Sequence, residues 1–413
     1  MKQTDDEKQK TEKKRKGWTC GRHRRVFAFL RAVMTPFFKL RYNYVAEPAP
    51  IKSGPCLILH NHQATMDPFF VADSFKFPLY FFASDDLFNL KVSPLIRYLV
   101  NPIPKSKSVS DMEAVRIALR VFKEGGAVCI APEGNRTLSG RQWEMADSAA
   151  KLVKLSKVPL VLYNLCGGYG TDPRWGAKIR KGTKYVGRVK RIIYPDEYKN
   201  MSVAELFEII KRELDVNDVA SGESYFSPRR VEYIERALYM CPKCGAIGTI
   251  RSHGANFGCT KCGAEAEYTE KLKIDPPICG YDEVYGWFEW ERKEIVRRVA
   301  AGETIADDGI LFRESVKLKN KIKLGGDRVE MNARELKISG GGTEYVYPLE
   351  DIDAITAVGK KKFNFYCNGK ILQVKGDERF CAIKYVHAFD GLRAAERAAE
   401  HTAAEENCEA ATP

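Results

Sequence analysis

Between residues 55 and 195 short apolar runs alternate with stretches of helical character, and this alternation constrains the fold more than any other feature of the chain. The runs 56–59, 79–83, 127–131 and 159–165 are separated by helix-like segments at 68–76, 85–100, 111–123 and 143–156. Such a pattern predicts an α/β layer fold with a largely parallel sheet. A further run at 188–194 and an amphipathic segment over 202–214, with Ser202 as its N-cap, close this unit.

Two polar clusters sit where the chain leaves an apolar run. The first, Asn61-His62-Gln63-Ala64-Thr65-Met66-Asp67, follows the run ending at residue 59. A neutral His takes a proton from an alcohol when a carboxylate on its other nitrogen fixes the tautomer and stabilises the imidazolium. Five residues along a helix rotate by about 500°, so a turn, not a helix, must bring His62 and Asp67 together. The second cluster, Pro132-Glu133-Gly134-Asn135-Arg136-Thr137, follows the run ending at residue 131. Loops leaving neighbouring parallel strands converge on one edge of a sheet, where α/β sites form. There Gly134 permits a tight turn, Arg136 offers a fork for phosphate oxygens, and Glu133 is expected to hold that Arg or a substrate hydroxyl.

With both clusters in view, the chain resembles the glycerol-phosphate and lysophosphatidate (1-acylglycerol-3-phosphate) acyltransferases, whose NHxSxxD-like and FPEGTRS-like blocks correspond to NHQATMD and APEGNRTLSG. Asn101-Pro102-Ile103-Pro104-Lys105-Ser106-Lys107 occupies the place of a middle block ending in a basic residue. Val158-Pro159-Leu160-Val161 resembles a fourth, apolar block. Ala64 stands where the family usually has Ser, Ala131 where it has Phe and Asn135 where it has Thr, and the middle block lacks the usual Gly and Arg. The resemblance implies an acyltransferase-type layered sheet with flanking helices. It implies that His62, oriented by Asp67, deprotonates the hydroxyl of a lysophospholipid as that hydroxyl attacks the thioester of acyl-CoA or acyl carrier protein. Asn61, Glu133, Gly134, Arg136 and either Lys105 or Lys107 would bind the acceptor. Most directly, the acceptor would be 1-acylglycerol-3-phosphate and the product phosphatidic acid. No cofactor is implied for the chemistry itself.

A different kind of site follows. Cys241-Pro-Lys-Cys244 and Cys259-Thr-Lys-Cys262 are two CxxC knuckles with 14 residues between them and Gly245 and Gly263 just after. Four thiolates so spaced supply a tetrahedral, closed and therefore structural zinc site, a zinc ribbon. The other eight of the 12 cysteines are scattered, which is not a disulfide framework but suits a reducing compartment. Lys243, Arg251 and Lys261 would permit contact with nucleic acid, but no ordered basic-aromatic face demands it; a nucleic-acid partner is not expected.

A net charge of +13 suits an anionic partner, and 413 residues suggest two to four domains. Residues 1–25 read as a basic disordered tail, and 26–45 as an amphipathic helix lying at a membrane interface, its apolar surface broken by Arg31 and Pro36 and too short to span. An acyltransferase domain then occupies 46–225, the zinc ribbon 226–274 with a short helix leading in over 229–240, and a Trp-rich helical linker 275–305. A β-rich domain with a C-terminal helix covers 306–400, with a hairpin at Asn368-Gly369, and resembles a pleckstrin-homology-like barrel in element order; 401–413 reads as a disordered tail. With no secretory signal in view, the expectation is a peripheral protein on the cytoplasmic face of a membrane. The basic clusters Lys317, Lys319, Lys321, Lys323 and Lys360, Lys361, Lys362 invite a regulatory role for the appended units. The competing reading is a catalytically weak membrane-surface adaptor that uses the acyltransferase fold and zinc ribbon to dock partners.

Overall fold

The computed structural model describes residues 17–84, 88, 92–105, 112–315 and 321–410. Lys107, Lys317, Lys319 and the first 16 residues of the predicted tail lie outside them.

The α/β unit is a seven-stranded sheet made of β1 (Tyr44–Ala46), β2 (Cys56–His60), β3 (Leu79–Ser84), β4 (Ile103–Lys105), β5 (Ala127–Ile130), β6 (Leu160–Cys166) and, beyond the two-residue β7 (Lys181–Gly182), β8 (Tyr185–Ile193). Its order is β1-β8-β6-β2-β5-β3-β4, with every pair parallel except β6 and β8. Helices cover both faces: α1 (Gly21–Tyr42) and α2 (Asp67–Asp73) on one, α4 (Met112–Lys123), α5 (Ser148–Ser156) and α6 (Val203–Leu214) on the other, with α3 (Ser93–Val100) packed beside α1. The central strands β2, β5 and β6 are almost wholly apolar because both their faces are buried. Leu57 and Leu59 pack towards α4–α6, and Cys56 and Ile58 towards α1 and α2. As predicted, α6 begins at a Ser202 cap, its hydroxyl accepting from Glu205 N at 3.1 Å.

Helix α1 starts five residues before the predicted segment and continues through Pro36. One face docks, with Phe38 and Tyr42 against Phe70 at ring distances of 5.0 and 5.2 Å. Arg31 turns inward to Asp73 at 3.2 Å. The opposite face leaves Phe29, Val33, Phe37 and Leu40 between 53% and 89% exposed.

The cysteine-containing segment forms a four-stranded antiparallel sheet, Ile250–His253, Asn256–Cys259, Glu265–Tyr268 and Ile274–Asp275. The helix expected over 229–240 is absent apart from a 3-10 turn at Ile234–Arg236. Tyr233 adopts φ 69°, its amide donates to Ser252 Oγ at 2.7 Å, and Arg236 reaches Trp175 O and Glu378 O at 3.0 and 2.7 Å. Tertiary contacts override the local helical pattern. After α7 (Val284–Ala300), two antiparallel sheets of four and five strands face α8 (Ile383–Ala410). Strands Lys362–Cys367 and Lys370–Lys375 are joined by Asn368 and Gly369 at φ 50° and 71°, the hairpin read from Asn-Gly. Helix α8 runs to Ala410, into the predicted tail, as its Ala and Glu content favours.

These units share one core. Leu138, Tyr169 and Trp175 of the α/β unit join the cysteine sheet, Trp287 of α7, the inner faces of the β-rich sheets and α8 in a continuous cluster ending at Leu392. Arg174, 3% exposed, fastens the junction: its Nη1 donates to Arg136 O at 3.1 Å, its Nη2 to Ala357 O at 2.9 Å and its Nε to Gly359 O at 3.1 Å. Removing a charged donor from buried carbonyls costs about 1.5–3 kcal/mol each when they stay dry. Only Ala357 O is buried, while Gly359 is exposed and Arg136 half-buried, so water can meet the other two carbonyls and Arg174→Ala is expected to destabilise the full chain by about 3 kcal/mol in denaturant unfolding; a loss below about 0.5 kcal/mol would show the junction does not depend on it.

Candidate active site and candidate metal centre

β2 and β5 are neighbours in register, Leu59 opposite Ile130, so the loops that follow them leave the same sheet edge side by side. His62 is fixed to the second loop at both ends of its backbone. Its amide donates to Glu133 Oε1 at 3.0 Å, and its carbonyl accepts from Thr137 N at 3.0 Å. The side chain turns to Asp67, Nδ1 lying 2.8 Å from Oδ2. Residues 61–66 form the turn that the spacing required, and Asp67 opens α2.

Asp67 is fully buried yet heavily solvated by the protein. Oδ2 accepts from Gln63 N at 2.7 Å and Ala64 N at 3.0 Å, and Oδ1 accepts from the Tyr185 hydroxyl at 2.5 Å. Burial pushes its carboxyl up, but the hydrogen bond from His62, the pull of an imidazolium at His62 and the Tyr185 hydroxyl outweigh it and hold it below the ordinary range. An ionised Asp67 keeps the proton on Nδ1 and leaves Nε2 as the proton-accepting nitrogen. His60, buried one step earlier with Nδ1 2.7 Å from Asn61 O, is pushed down to about 4 by burial and by His62, and so stays neutral.

Two residues read as acceptor contacts have other tasks. Asn61 is buried and pairs with the end of β6, Nδ2 donating to Leu165 O at 2.8 Å and Oδ1 accepting from Leu165 N at 2.7 Å. Glu133 holds neither Arg136 nor an open position: Oε1 accepts from His62 N, and Oε2 accepts from Trp143 N at 2.8 Å. Burial pushes Glu133 up to about 8 against those two amides. Both side chains position the His62 loop. Trp143 in turn stacks on His387 of α8, rings 6.2 Å apart and 20° from parallel.

Gly134 takes φ 66°, the left-handed turn expected of it. Burial lowers the Arg136 pKa, with Asp172, Asp67, Tyr185 and Tyr42 opposing it, and its Nη1 is buried with no hydrogen-bond partner among the described residues. Lys105 ends β4 at the same sheet edge, with its Nζ 5.9 Å from the Phe82 ring centre. β4 stands three strands from β2, roughly 14 Å at ordinary strand spacing. No motif marks Tyr185 or Trp143 as parts of this site, and Gln63, inside the first cluster, has a task its position does not disclose: its Oε1 accepts from Gly168 N at 2.8 Å.

The four cysteine Sγ atoms of Cys241, Cys244, Cys259 and Cys262 lie within 4.8 Å of one another, with Cys241–Cys262 and Cys244–Cys259 both at 3.7 Å. A tetrahedron of thiolates about 2.3 Å from zinc has edges of about 3.8 Å, so the donor set fits that ion in number, chemistry and size. The knuckle glycines Gly245 and Gly263 take φ 70° and 69° and donate their amides to Cys241 O and Cys259 O. His253 stands in the adjoining strand, outside the cluster.

Known proteins share part of this chain. Residues 43–162 match a family model described as Acyltransferase. A probable 1-acyl-sn-glycerol-3-phosphate acyltransferase of Mycoplasma pneumoniae is 24% identical over 132 residues, covering 30% of this chain and 50% of that protein. The chain thus spans about half the length of the curated relative it matches. The crystal structure of the 1-acyl-sn-glycerophosphate (LPA) acyltransferase PlsC from Thermotoga maritima overlaps 46% of this chain and 78% of its own, at 19% identity and a TM-score of 0.37.

Two outcomes are expected. Tyr185→Phe should cost about 1.5–3 kcal/mol of stability at neutral pH. Because the Asp67 pKa is depressed in the fold, this contribution is complete above its ordinary 3.8 and fades as pH falls through the lower folded value; a pH-independent difference in unfolding free energy would contradict the assignment. Elemental analysis should find one zinc per chain, absent from Cys259→Ser, and its binding should contribute on the order of 10 kcal/mol to folding, seen as a metal-dependent unfolding transition.

Proposed function

From an acyltransferase-family domain over residues 43–162, we propose that the protein transfers an acyl group from acyl-CoA or acyl carrier protein to the hydroxyl of a lysophospholipid, 1-acylglycerol-3-phosphate in the first instance, giving phosphatidic acid. The observation that carries this reading is the His62–Asp67 pair, 2.8 Å apart and anchored to the loop that contains Arg136.

His62 Nε2 takes the proton of the acceptor hydroxyl as its oxygen attacks the thioester carbonyl. Asp67 stabilises the imidazolium, and Tyr185 with the amides of residues 63 and 64 keeps Asp67 ionised. The tetrahedral adduct then expels the thiolate, which recovers the proton from His62. One ester forms, one thioester breaks, and no acyl group passes through the enzyme. Arg136, with a buried guanidinium nitrogen awaiting an acceptor, is the proposed phosphate contact.

The acceptor is a lipid, and the exposed stripe Phe29, Val33, Phe37 and Leu40 on α1, flanked by Lys39 and Arg41, supports docking on an anionic membrane surface. Leu95 and Tyr98 of α3 extend the same apolar face, joined to α1 by Arg22 over the Tyr98 ring at 3.8 Å. Among the described residues no helix is long and apolar enough to cross a membrane. We place this peripheral contact on the cytoplasmic face, and the four-cysteine site, taken as zinc, in a structural role.

Acyl transfer from labelled acyl-CoA and acyl carrier protein to lysophospholipids and glycerol phosphate tests this. His62→Ala should lower kcat by about 10²–10⁴-fold with folding intact. A folded parent that transfers to none of these acceptors would replace the enzyme reading with that of a membrane adaptor.

A further inference from the structure

The 132–137 loop contributes one cation, Arg136, and the next cation comes from a different part of the chain. Arg174 draws the turn after strand Ile352–Ala357 onto the α/β unit by binding Ala357 O and Gly359 O, and its remaining donor holds Arg136 O. The following residue, Lys360, half-buried, donates through Nζ to Gly176 O. Burial lowers the Lys360 pKa, Arg136 and Arg236 push it the same way, and Asp172 and Glu378 oppose them. Because one guanidinium holds both Arg136 O and Gly359 O, Lys360 is brought within range of the Arg136 charge, and Asp172 acts on both.

The surrounding groups do not neutralise them. Each of the three guanidinium nitrogens of Arg174 donates to a carbonyl, which leaves its charge in place. Glu378 is engaged by Arg236 at 3.0 Å and by Lys361. Asp67 is bonded to His62, Tyr185 and two amides, which leaves its charge in place as well, and it acts on Arg136. Two carboxylates, Asp67 and Asp172, thus stand against the three cations Arg136, Arg174 and Lys360, an excess of one positive charge beside Arg136 Nη1, which is buried and has no hydrogen-bond partner among the described residues. An ammonium has three donors, and Gly176 O takes one.

We propose that Lys360 and Arg136 together bind a phosphomonoester, so that the β-rich C-terminal unit supplies part of an anion site on the loop that anchors His62. The anion is the acceptor's phosphate, an identity that rests on the acyl-transfer reading; the site itself does not. A phosphomonoester carries close to two negative charges at neutral pH, matching two cations, whereas a phosphodiester carries one and gains little from the second. The appended unit would thereby select acceptors with a terminal phosphate.

Full-length parent, Lys360→Ala and Lys360→Arg should be compared by calorimetric titration with glycerol 3-phosphate, glycerophosphocholine and CoA, and by acyl transfer to the corresponding lysolipids. Loss of one charge-assisted contact is expected to weaken glycerol 3-phosphate binding by about tenfold in Lys360→Ala. KM for 1-acylglycerol-3-phosphate should rise in step at nearly constant kcat, the diester should be unaffected, and Lys360→Arg should recover most of the loss. Unchanged glycerol 3-phosphate binding, or equal losses for monoester and diester, would overturn the proposal. Weakened CoA binding with glycerol 3-phosphate unaffected would overturn the acceptor assignment and give the site to the donor. Should the parent transfer no acyl group while Lys360→Ala still loses glycerol 3-phosphate, the anion site stands and the catalytic reading falls.

Discussion

The carboxylate of Glu133 accepts from two backbone amides, those of His62 and Trp143, on segments that no strand pairing connects. Parallel strands alone bring the loops after β2 and β5 to one edge, with play of an ångström or more, whereas acid–base chemistry needs tighter placement. A buried carboxylate reduces that play because it is costly unless both oxygens are met. Burial drives Glu133 towards the neutral acid, and the two amides are what favour the ion. The position of His62 is thereby coupled to the path of the chain through Trp143 and, by way of the stacked His387, to the C-terminal helix.

Around that clamp the polar interior is organised by carboxylates and side-chain amides that cap backbone groups. Asp67 gathers the turn between β2 and α2, Asn61 ties that turn to β6, and Gln63 reaches the helical turn Gly168–Thr171. Asp218 completes the set, accepting from the amides of Gly167 and Tyr169 at 2.7 and 3.0 Å. The sheet edge becomes rigid through these bonds, which suits electrostatic preorganisation better than a mobile loop would.

The sheet was legible because buried parallel strands leave continuous apolar runs, and the His62–Asp67 pair because its members are five residues apart at a strand end. The partners of that pair were not legible. Tyr185 lies 118 residues from Asp67 and sits in an ordinary strand sequence, and only the β1-β8-β6-β2 order brings it near. Asn61 and Glu133 do lie in the loops where a substrate would be met, but a sequence shows a polar residue without showing which backbone group its atoms bind. The cysteine quartet was readable in full because its spacing encodes its geometry. The 229–240 segment failed for the opposite reason: its local pattern favours a helix, while Arg236 and Tyr233 gain more from distant carbonyls and Ser252.

The continuous core has a consequence for how the protein is made. Leu138, Tyr169 and Trp175 belong to the first half of the chain, and the groups that cover them extend to Leu392. At about 5–20 residues per second, the ribosome needs roughly 10 to 40 s after Trp175 has been polymerised to deliver the last of that cover. During this interval the side chains of Tyr169 and Trp175, fully enclosed in the finished protein, lack part of their cover. The first half of the chain therefore completes its core only when residues made much later arrive.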